Sequence, residues 1–312
     1  MSVLFDVIMP VFLVIGFGYA MARQGLFNDS AVDGVMRFAQ NFAVPVLLFR
    51  SIARLDLSSA YEPGLMLSFY IGAFAAFGFG FAGARLAFRR PLTDSVAIGF
   101  ACLFSNSLLL GLPITERAYG PEALAGNYAI ISVHAPMLYG VGIALMEWAK
   151  ASGQGLTLGA LLRQILRAIF SQPLVIGIVA GFAVNFSGLE PPGFFWSAVD
   201  LMARSAIPAA LFGLGGVLFR YRPEGDKVTI AMICLASLVL HPAITWLLGT
   251  KVFSNDTDAL RSSVLTAAQA PGVNAYMFAH LYGVARRVNA SAVLIATALS
   301  MLTIWGWLHV LP

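Results

Sequence analysis

The chain has 312 residues, of which 59% are hydrophobic and only 11% charged, and its net charge is +4. Soluble domains carry about 25% charged residues, and a fold of this size has too little interior to hide so much apolar surface from water. These numbers exclude a water-soluble globular protein and point to the lipid bilayer as the surroundings. One membrane-crossing helix needs about 20 apolar residues, so ten helices with short loops would use nearly the whole chain.

Ten apolar runs follow one another along the chain, separated by polar or Gly/Pro-rich segments. They predict an all-α polytopic membrane protein with ten transmembrane helices. The first run has features of a signal peptide, but it carries Asp6 and has no preceding Lys or Arg, so we expect an uncleaved helix. The predicted helices span 3–22, 34–53, 64–86, 94–115, 122–146, 166–186, 195–219, 228–249, 259–282 and 288–310.

Basic residues are distributed unevenly between the two sides of this predicted topology. Thirteen of the 19 Lys and Arg residues lie on the side of the loops that follow odd-numbered helices, and six lie on the other side. Positive residues favour cytoplasmic loops, so we expect both termini to be non-cytoplasmic, in a cell membrane such as the bacterial inner membrane. This rule accounts for the positive net charge, and no nucleic-acid partner is expected.

The two halves of the chain resemble each other at an offset of 163 residues. Pro10 then coincides with Pro173, and segment 43–49 aligns with segment 206–212, each with a proline in third position. A unit of five helices is odd, so its second copy crosses the membrane in the opposite direction. The sequence therefore predicts two inverted five-helix repeats, residues 1–150 and 151–312, an architecture typical of secondary transporters. Further matches pair Gly18, Ala20, Gly25 and Leu26 with Gly181, Ala183, Gly188 and Leu189.

The fourth and ninth predicted helices occupy the same place in the two halves, and both carry amides, small residues and a proline in mid-span. Proline and glycine favour a break, which a membrane tolerates only where protein or a cavity satisfies the freed backbone groups. The N-terminal N–H groups of the half-helices would then favour an anion, above all a carboxylate. The alternative is that the prolines only kink packed helices. The predicted substrate-binding residues here are Ser105, Asn106, Gly111, Pro113, Gln269, Pro271, Gly272 and Asn274.

Several of these segments resemble the auxin efflux carrier family, which includes plant auxin exporters and bacterial malonate-type carriers. Segment 106–113, Asn-Ser-Leu-Leu-Leu-Gly-Leu-Pro, resembles the helix-4 motif of that family, and segment 273–279 with 281–283 is similar to its helix 9. Segments 10–18 and 41–45 are also similar, so the resemblance covers essentially the whole chain.

The resemblance implies a sodium/proton-antiporter-like fold in which helices 4 and 9 cross at the substrate site. It further implies that helices 1, 2, 6 and 7 form a scaffold, and that helices 3–5 and 8–10 form a moving transport domain. Plant members have a long cytosolic loop between helices 5 and 6. Here that connection is only about residues 147–165, so phosphorylation control through it is not expected.

Other polar residues within the apolar runs are further candidates. Arg204 is a potential counter-charge for an organic anion, although it could also snorkel outward or pair with Asp200. His134 and His241 are candidates for proton coupling, with the alternative that they satisfy carbonyls freed at kinks. The matching stretch of helix 2 contributes two possible cavity-lining amides, Gln40 and Asn41.

Together these features predict a secondary transporter that moves a small organic anion by elevator-type alternating access, the mode of motion resting on the resemblance. A sodium-coupled symporter of the same fold is the first alternative. An intramembrane enzyme is less favoured, because the runs contain no catalytic dyad or metal cluster, and a sensor is less favoured, because no signalling domain is expected beside the ten helices. No cofactor, metal or catalytic residue is expected, and a homodimer is left open beside a monomer.

Overall fold

A computed structural model of the chain describes residues 3–150 and 157–312. The secondary structure of these described residues is helical, and they contain no β-strand. Six of the helices are long and apolar enough to cross a membrane, and a bent helix pair makes a seventh candidate. The predicted boundary between the repeats falls where residues 151–156 begin, and those six lie outside the described residues.

The principal helices are numbered α1 to α10 in chain order, and α4 and α9 each consist of two pieces. A short helix, Leu57–Ala60, precedes α3, and an amphipathic helix, Leu158–Phe170, precedes α6. The ten are α1 Leu4–Arg23, α2 29–53, α3 Pro63–Ala87, α4a Leu92–Leu103, α4b 107–119, α5 Pro121–Lys150, α6 Pro173–Ser187, α7 Gly193–Arg220, α8 Lys227–Lys251, α9a Thr257–Ala267, α9b Val273–Tyr282 and α10 Arg286–Val310.

The sixth predicted helix, 166–186, differs from the structure at its start. Leu158–Phe170 and Pro173–Ser187 are separate helices that meet at a bend of 80°. Pro173 causes the bend, because a residue that precedes proline avoids the helical conformation. Leu158–Phe170 buries none of its residues and places Arg163 and Arg167 opposite a leucine-rich face, a pattern typical of helices that lie along a membrane surface.

Four helices contain a π-helical turn just before a proline. Such a turn is wider than an α-helical turn because it holds one additional residue. Each proline lacks an N–H and its ring crowds the preceding turn, and a widened π-helical turn accommodates both effects without breaking the helix. A sequence proline in these helices therefore marks a local widening rather than a break. The widened turns are Leu4–Ile8 before Pro10, Ala39–Ala43 before Pro45, Ser107–Gly111 before Pro113, and Ala236–Leu240 before Pro242.

Among the helices that the structure describes, two pairs, α1 with α7 and α2 with α6, share the most extensive contacts. A glycine makes each close approach possible. A Cβ added to Gly18 would collide with the carbonyl oxygen of Phe212, and one added to Gly181 would lie 2.9 Å from the carbonyl oxygen of Phe49. Gly18 and Gly181, and likewise Phe49 and Phe212, are separated by the same 163 residues, so the two contacts are equivalent in the two halves.

The remaining helices, α3, α4, α5, α8, α9 and α10, form a second group. In it α3 packs against α4a and α8, α9a packs against α3 and α5, and α10 packs against α8 and α9b. This group meets α1, α2, α6 and α7 mainly through α4b and α5. The interruptions in α4 and α9 therefore lie close to the junction between the two groups.

Candidate functional site

The interruptions in α4 and α9 lie side by side and run in opposite directions. The N–H of Asn106 donates to the carbonyl oxygen of Ala270 at 2.8 Å, and the N–H of Gly272 donates to that of Phe104 at 2.9 Å. Each interruption thus satisfies backbone groups that the other leaves without a helical partner, as a membrane interior requires. The two interruptions are therefore in direct backbone contact with each other.

A cavity of about 150 Å³ opens beside this crossing. That is about the volume of an engineered protein cavity that takes up benzene, so the space suits a small organic molecule. One wall comes from α2 and the start of α6, and the other from the two interruptions and α5. The cavity therefore lies between the two helix groups. Seven predicted residues line it: Gln40, Asn41, Ser105, Asn106, His134, Gly272 and Asn274.

Both half-helices that follow the interruptions begin at this cavity. Ser107, the first residue of α4b, and Val273, the first residue of α9b, both line it. The first N–H groups of a helix have no partner within the helix, and the helix dipole makes that end positive. Asn106 and Asn274 add two side-chain amides that make no side-chain hydrogen bond within the described part of the chain. The arrangement offers uncharged donors to an anion.

The other predicted residues of α4 and α9 lie behind the cavity wall. Pro271 is within the interruption of α9, whereas Pro113 lies in α4b, seven residues after Asn106, the last residue of the interruption of α4. Pro113 therefore shapes the widened turn and not the break itself. Gln269 is fully buried, donates to the carbonyl oxygen of Leu265 at 2.7 Å and packs beside Gly111.

Arg204 is exposed on α7 and does not line the cavity. Asp200, one turn before it, pairs instead with Arg50 of α2 and lies 3.8 Å from Arg54. Of the alternatives for Arg204, an outward-facing side chain agrees with this placement, and pairing with Asp200 does not.

The two buried histidines differ in position. The ring of His134 lines the cavity and packs edge-on against Phe104, with ring centroids 4.7 Å apart. Neither ring nitrogen of His134 has a hydrogen-bond partner among the described residues. His241 lies away from the cavity, with Nε2 3.2 Å from the carbonyl oxygen of Phe69.

Three polar residues near the crossing were not predicted as site residues. Ser107 and Gln172 line the cavity. Asn127 of α5 is fully buried behind the cavity and forms hydrogen bonds with two other helices. The Asn127 amide donates to Thr266 of α9a at 2.8 Å and to Thr115 of α4b at 3.3 Å. Asn127 could have been identified from the sequence, because it is an amide within the apolar run that forms α5.

Comparison with known proteins identifies the family of this chain. A family profile described as membrane transport protein matches residues 3–308. The chain belongs to this membrane transport family, the auxin efflux carrier family. It is a multi-pass membrane transporter, and the resemblance found in its sequence motifs is confirmed.

Three relatives that include two bacterial proteins and one plant protein align with this chain over nearly their whole length. The "Putative malonate transporter" of Rhizobium meliloti (strain 1021) is 26% identical over 100% of this chain and 97% of its own. The "Uncharacterized transporter YfdV" of Escherichia coli (strain K12) is 22% identical, covering 97% and 96%. "Auxin efflux carrier component 5" of Arabidopsis thaliana is 20% identical, covering 95% and 93%.

Proposed function

We propose that this transporter carries a small organic anion bearing a carboxylate, by alternating access through the cavity at the crossing. The observation that carries the proposal is the convergence of two half-helix N-termini and two free amides on one small cavity. The described lining holds no Lys, Arg, Asp or Glu, so helix ends and neutral donors would compensate the substrate's charge. Relatives named as malonate and auxin carriers support a carboxylate substrate.

The proposed framework is ten transmembrane helices in two inverted repeats, with both termini outside the cytoplasm of a bacterial inner membrane. The equivalent contacts of Gly18 with Phe212 and of Gly181 with Phe49 support the repeat, since an internal two-fold relation exchanges them. The interrupted α4 and α9 support it as well, because they occupy the same place in each half.

The proposed motion is of the elevator type. The cavity has one wall from α2 and α6 and the other from α4, α5 and α9, so a movement of the second helix group against the first would carry the half-helix ends and the substrate together. Helices α1, α2, α6 and α7 would serve as the fixed scaffold.

Substitution of the two cavity asparagines tests the proposed site. Asn106→Ala and Asn274→Ala each remove donors that little water can replace, and a hydrogen bond to a charged group contributes about 1.5–3 kcal/mol. Each variant should bind its carboxylate substrate at least about tenfold more weakly. Equilibrium binding to a panel of mono- and dicarboxylates, paired with transport in proteoliposomes, measures this.

Asn28→Ala is the matched control. Asn28 is exposed and caps α2 by accepting from the N–H of Ala31 at 2.9 Å. Its loss should lower stability by about 1 kcal/mol and leave substrate affinity unchanged. If Asn106→Ala and Asn274→Ala both bind and transport like the unsubstituted protein, the crossing is structural and the substrate site lies elsewhere.

A sodium-coupled symporter is the second candidate, and one observation favours it. The buried oxygens Asn127 Oδ1 and Gln269 Oε1 accept no hydrogen bond within the described residues, and both side chains face α4b. Neutral oxygens of this kind are suitable ligands for a hard cation. Uptake that requires Na⁺, and for which Asn127→Leu raises the Na⁺ concentration needed for half-maximal uptake, would favour this candidate; uptake unaffected by replacing Na⁺ with choline would remove it.

A further inference from the structure

Two adjoining pockets lie along α8 and α10, and none of their lining residues lines the cavity beside the interruptions of α4 and α9. The first is an apolar groove of about 570 Å³ between these helices. The second is a pocket of about 300 Å³ at the end where both helices begin, and Arg90, Arg286 and Arg287 line it. Gly225 lines both, so the groove and the basic pocket adjoin at this residue.

The groove has the length of one bilayer leaflet. On α8 its lining runs from Lys227 to Val239, which at 1.5 Å per residue is about 18 Å. Half of a hydrocarbon core is about 15 Å. Apart from Lys227 at its mouth and Thr303, the described lining is apolar or backbone, with exposed Leu299 and Leu302 contributed by α10. An acyl chain therefore fits the groove in both length and polarity.

The charges at the mouth are only partly neutralised within the protein. Arg90 lies 3.3 Å from Asp226, whose carboxylate also accepts from the Thr229 hydroxyl at 2.5 Å. Arg287 lies 3.8 Å from Glu224.

Arg286 and Lys227 have no acidic partner within 4.0 Å among the residues that the structure describes. Two positive charges thus remain available at the end of the groove. Basic pockets of this kind between transmembrane helices attract anionic lipid headgroups.

We propose that one anionic phospholipid binds here, with its phosphate at Lys227, Arg286 and Arg287 and an acyl chain in the groove between α8 and α10. The site lies at the loops after odd-numbered helices, which contain most of the basic residues, so the lipid comes from the leaflet on that side. Both helices belong to the second helix group, so the lipid would travel with the proposed moving part.

The test measures lipid binding to the purified full chain by native mass spectrometry. Phosphatidylglycerol should bind at least about tenfold more tightly than phosphatidylcholine. The double variant Lys227→Gln/Arg286→Gln should lose about 25-fold in phosphatidylglycerol affinity, about fivefold for each charge. Leu302→Trp, which fills the exposed groove and changes no charge, should weaken binding of phosphatidylglycerol while elution as a folded monodisperse species is retained.

The matched control is Arg89→Gln/Arg222→Gln, which removes two exposed charges from the same face that line neither pocket. It should change phosphatidylglycerol affinity by less than twofold. The proposal is overturned if the two lipids bind equally, if the control loses as much affinity as the pocket variant, or if glycerol phosphate binds as tightly as the lipid, which would indicate a site for free phosphate.

Discussion

At the scale of single residues, the cavity is notable for the side chains that contact it. The polar side chains of its described lining are amides, hydroxyls and His134, while Arg204, a charge in the middle of α7, is exposed and does not line it. A formal charge inside a membrane protein is costly, and helix ends provide positive potential without it. His134 lines the cavity and His241 does not, so a role for His134 in proton coupling remains the proposal that this placement favours.

Arg204→Gln tests this distribution of charge. Because Arg204 does not line the cavity, the variant should bind every carboxylate substrate within about twofold of the unsubstituted protein. A directly contacting arginine would contribute about 1.5–3 kcal/mol, or roughly 10- to 150-fold in affinity. Isothermal titration calorimetry beside Asn106→Ala distinguishes the two outcomes, and a tenfold loss in Arg204→Gln would return this residue to the site.

At the scale of helices, small residues decide how closely elements approach. Gly18 of α1 touches the main chain of α7 at Phe212, and Gly181 of α6 touches that of α2 at Phe49. Association of helices in lipid depends on such close packing, because burial of apolar surface from water contributes little there.

Gly18→Ala should therefore destabilise the protein by about 1–3 kcal/mol, the usual effect of overpacking a tight contact. Gly16→Ala, on the same helix but with no atom within 4 Å of the added Cβ, is the control and should have little effect. Thermal unfolding in detergent, followed by static light scattering and tryptophan fluorescence, measures the difference. Equal unfolding temperatures for the two variants would show that the helices separate easily at Gly18.

At the scale of the whole molecule, the two ends of the helix bundle differ in charge. The basic pocket draws together Arg90 from the loop after α3, Asp226 from the loop after α7 and Arg286 at the start of α10. These loops all follow odd-numbered helices. The topology predicted from the positive-inside rule places such loops on one face of the membrane. The orientation itself remains a prediction.

Single cysteines at Arg222 and Thr257, in a background without buried Cys102 and Cys234, test the orientation. Both positions are exposed, and Arg222 is preferable to its neighbour Gly225, whose φ of +109° a cysteine would strain. A membrane-impermeant maleimide should label 257 from outside intact cells and 222 only after permeabilisation. Labelling of both from one side would contradict ten spans, and the reverse pattern would contradict the orientation.

The membrane environment, the family and the broken helices were readable from the chain, because each depends on local features. A membrane-spanning helix is recognised from the hydropathy of about 20 successive residues. The amide, glycine and proline residues that mark the break in α4 lie within one short motif, and those of α9 lie within another. The same locality explains the errors. Pro113 was assigned to a break because proline disfavours helix, but whether a helix breaks or widens depends on what supplies the missing hydrogen bond.

Tertiary contacts decided the rest. The hydrogen bonds of Asn106 with Ala270 and of Gly272 with Phe104 join segments more than 160 residues apart, and no local pattern specifies which helices will be neighbours. The outward position of Arg204 depends in the same way on how α7 is rotated against its neighbours. The bilayer thus constrains where each helix lies along the chain, while lateral packing selects the side chains that face a shared cavity.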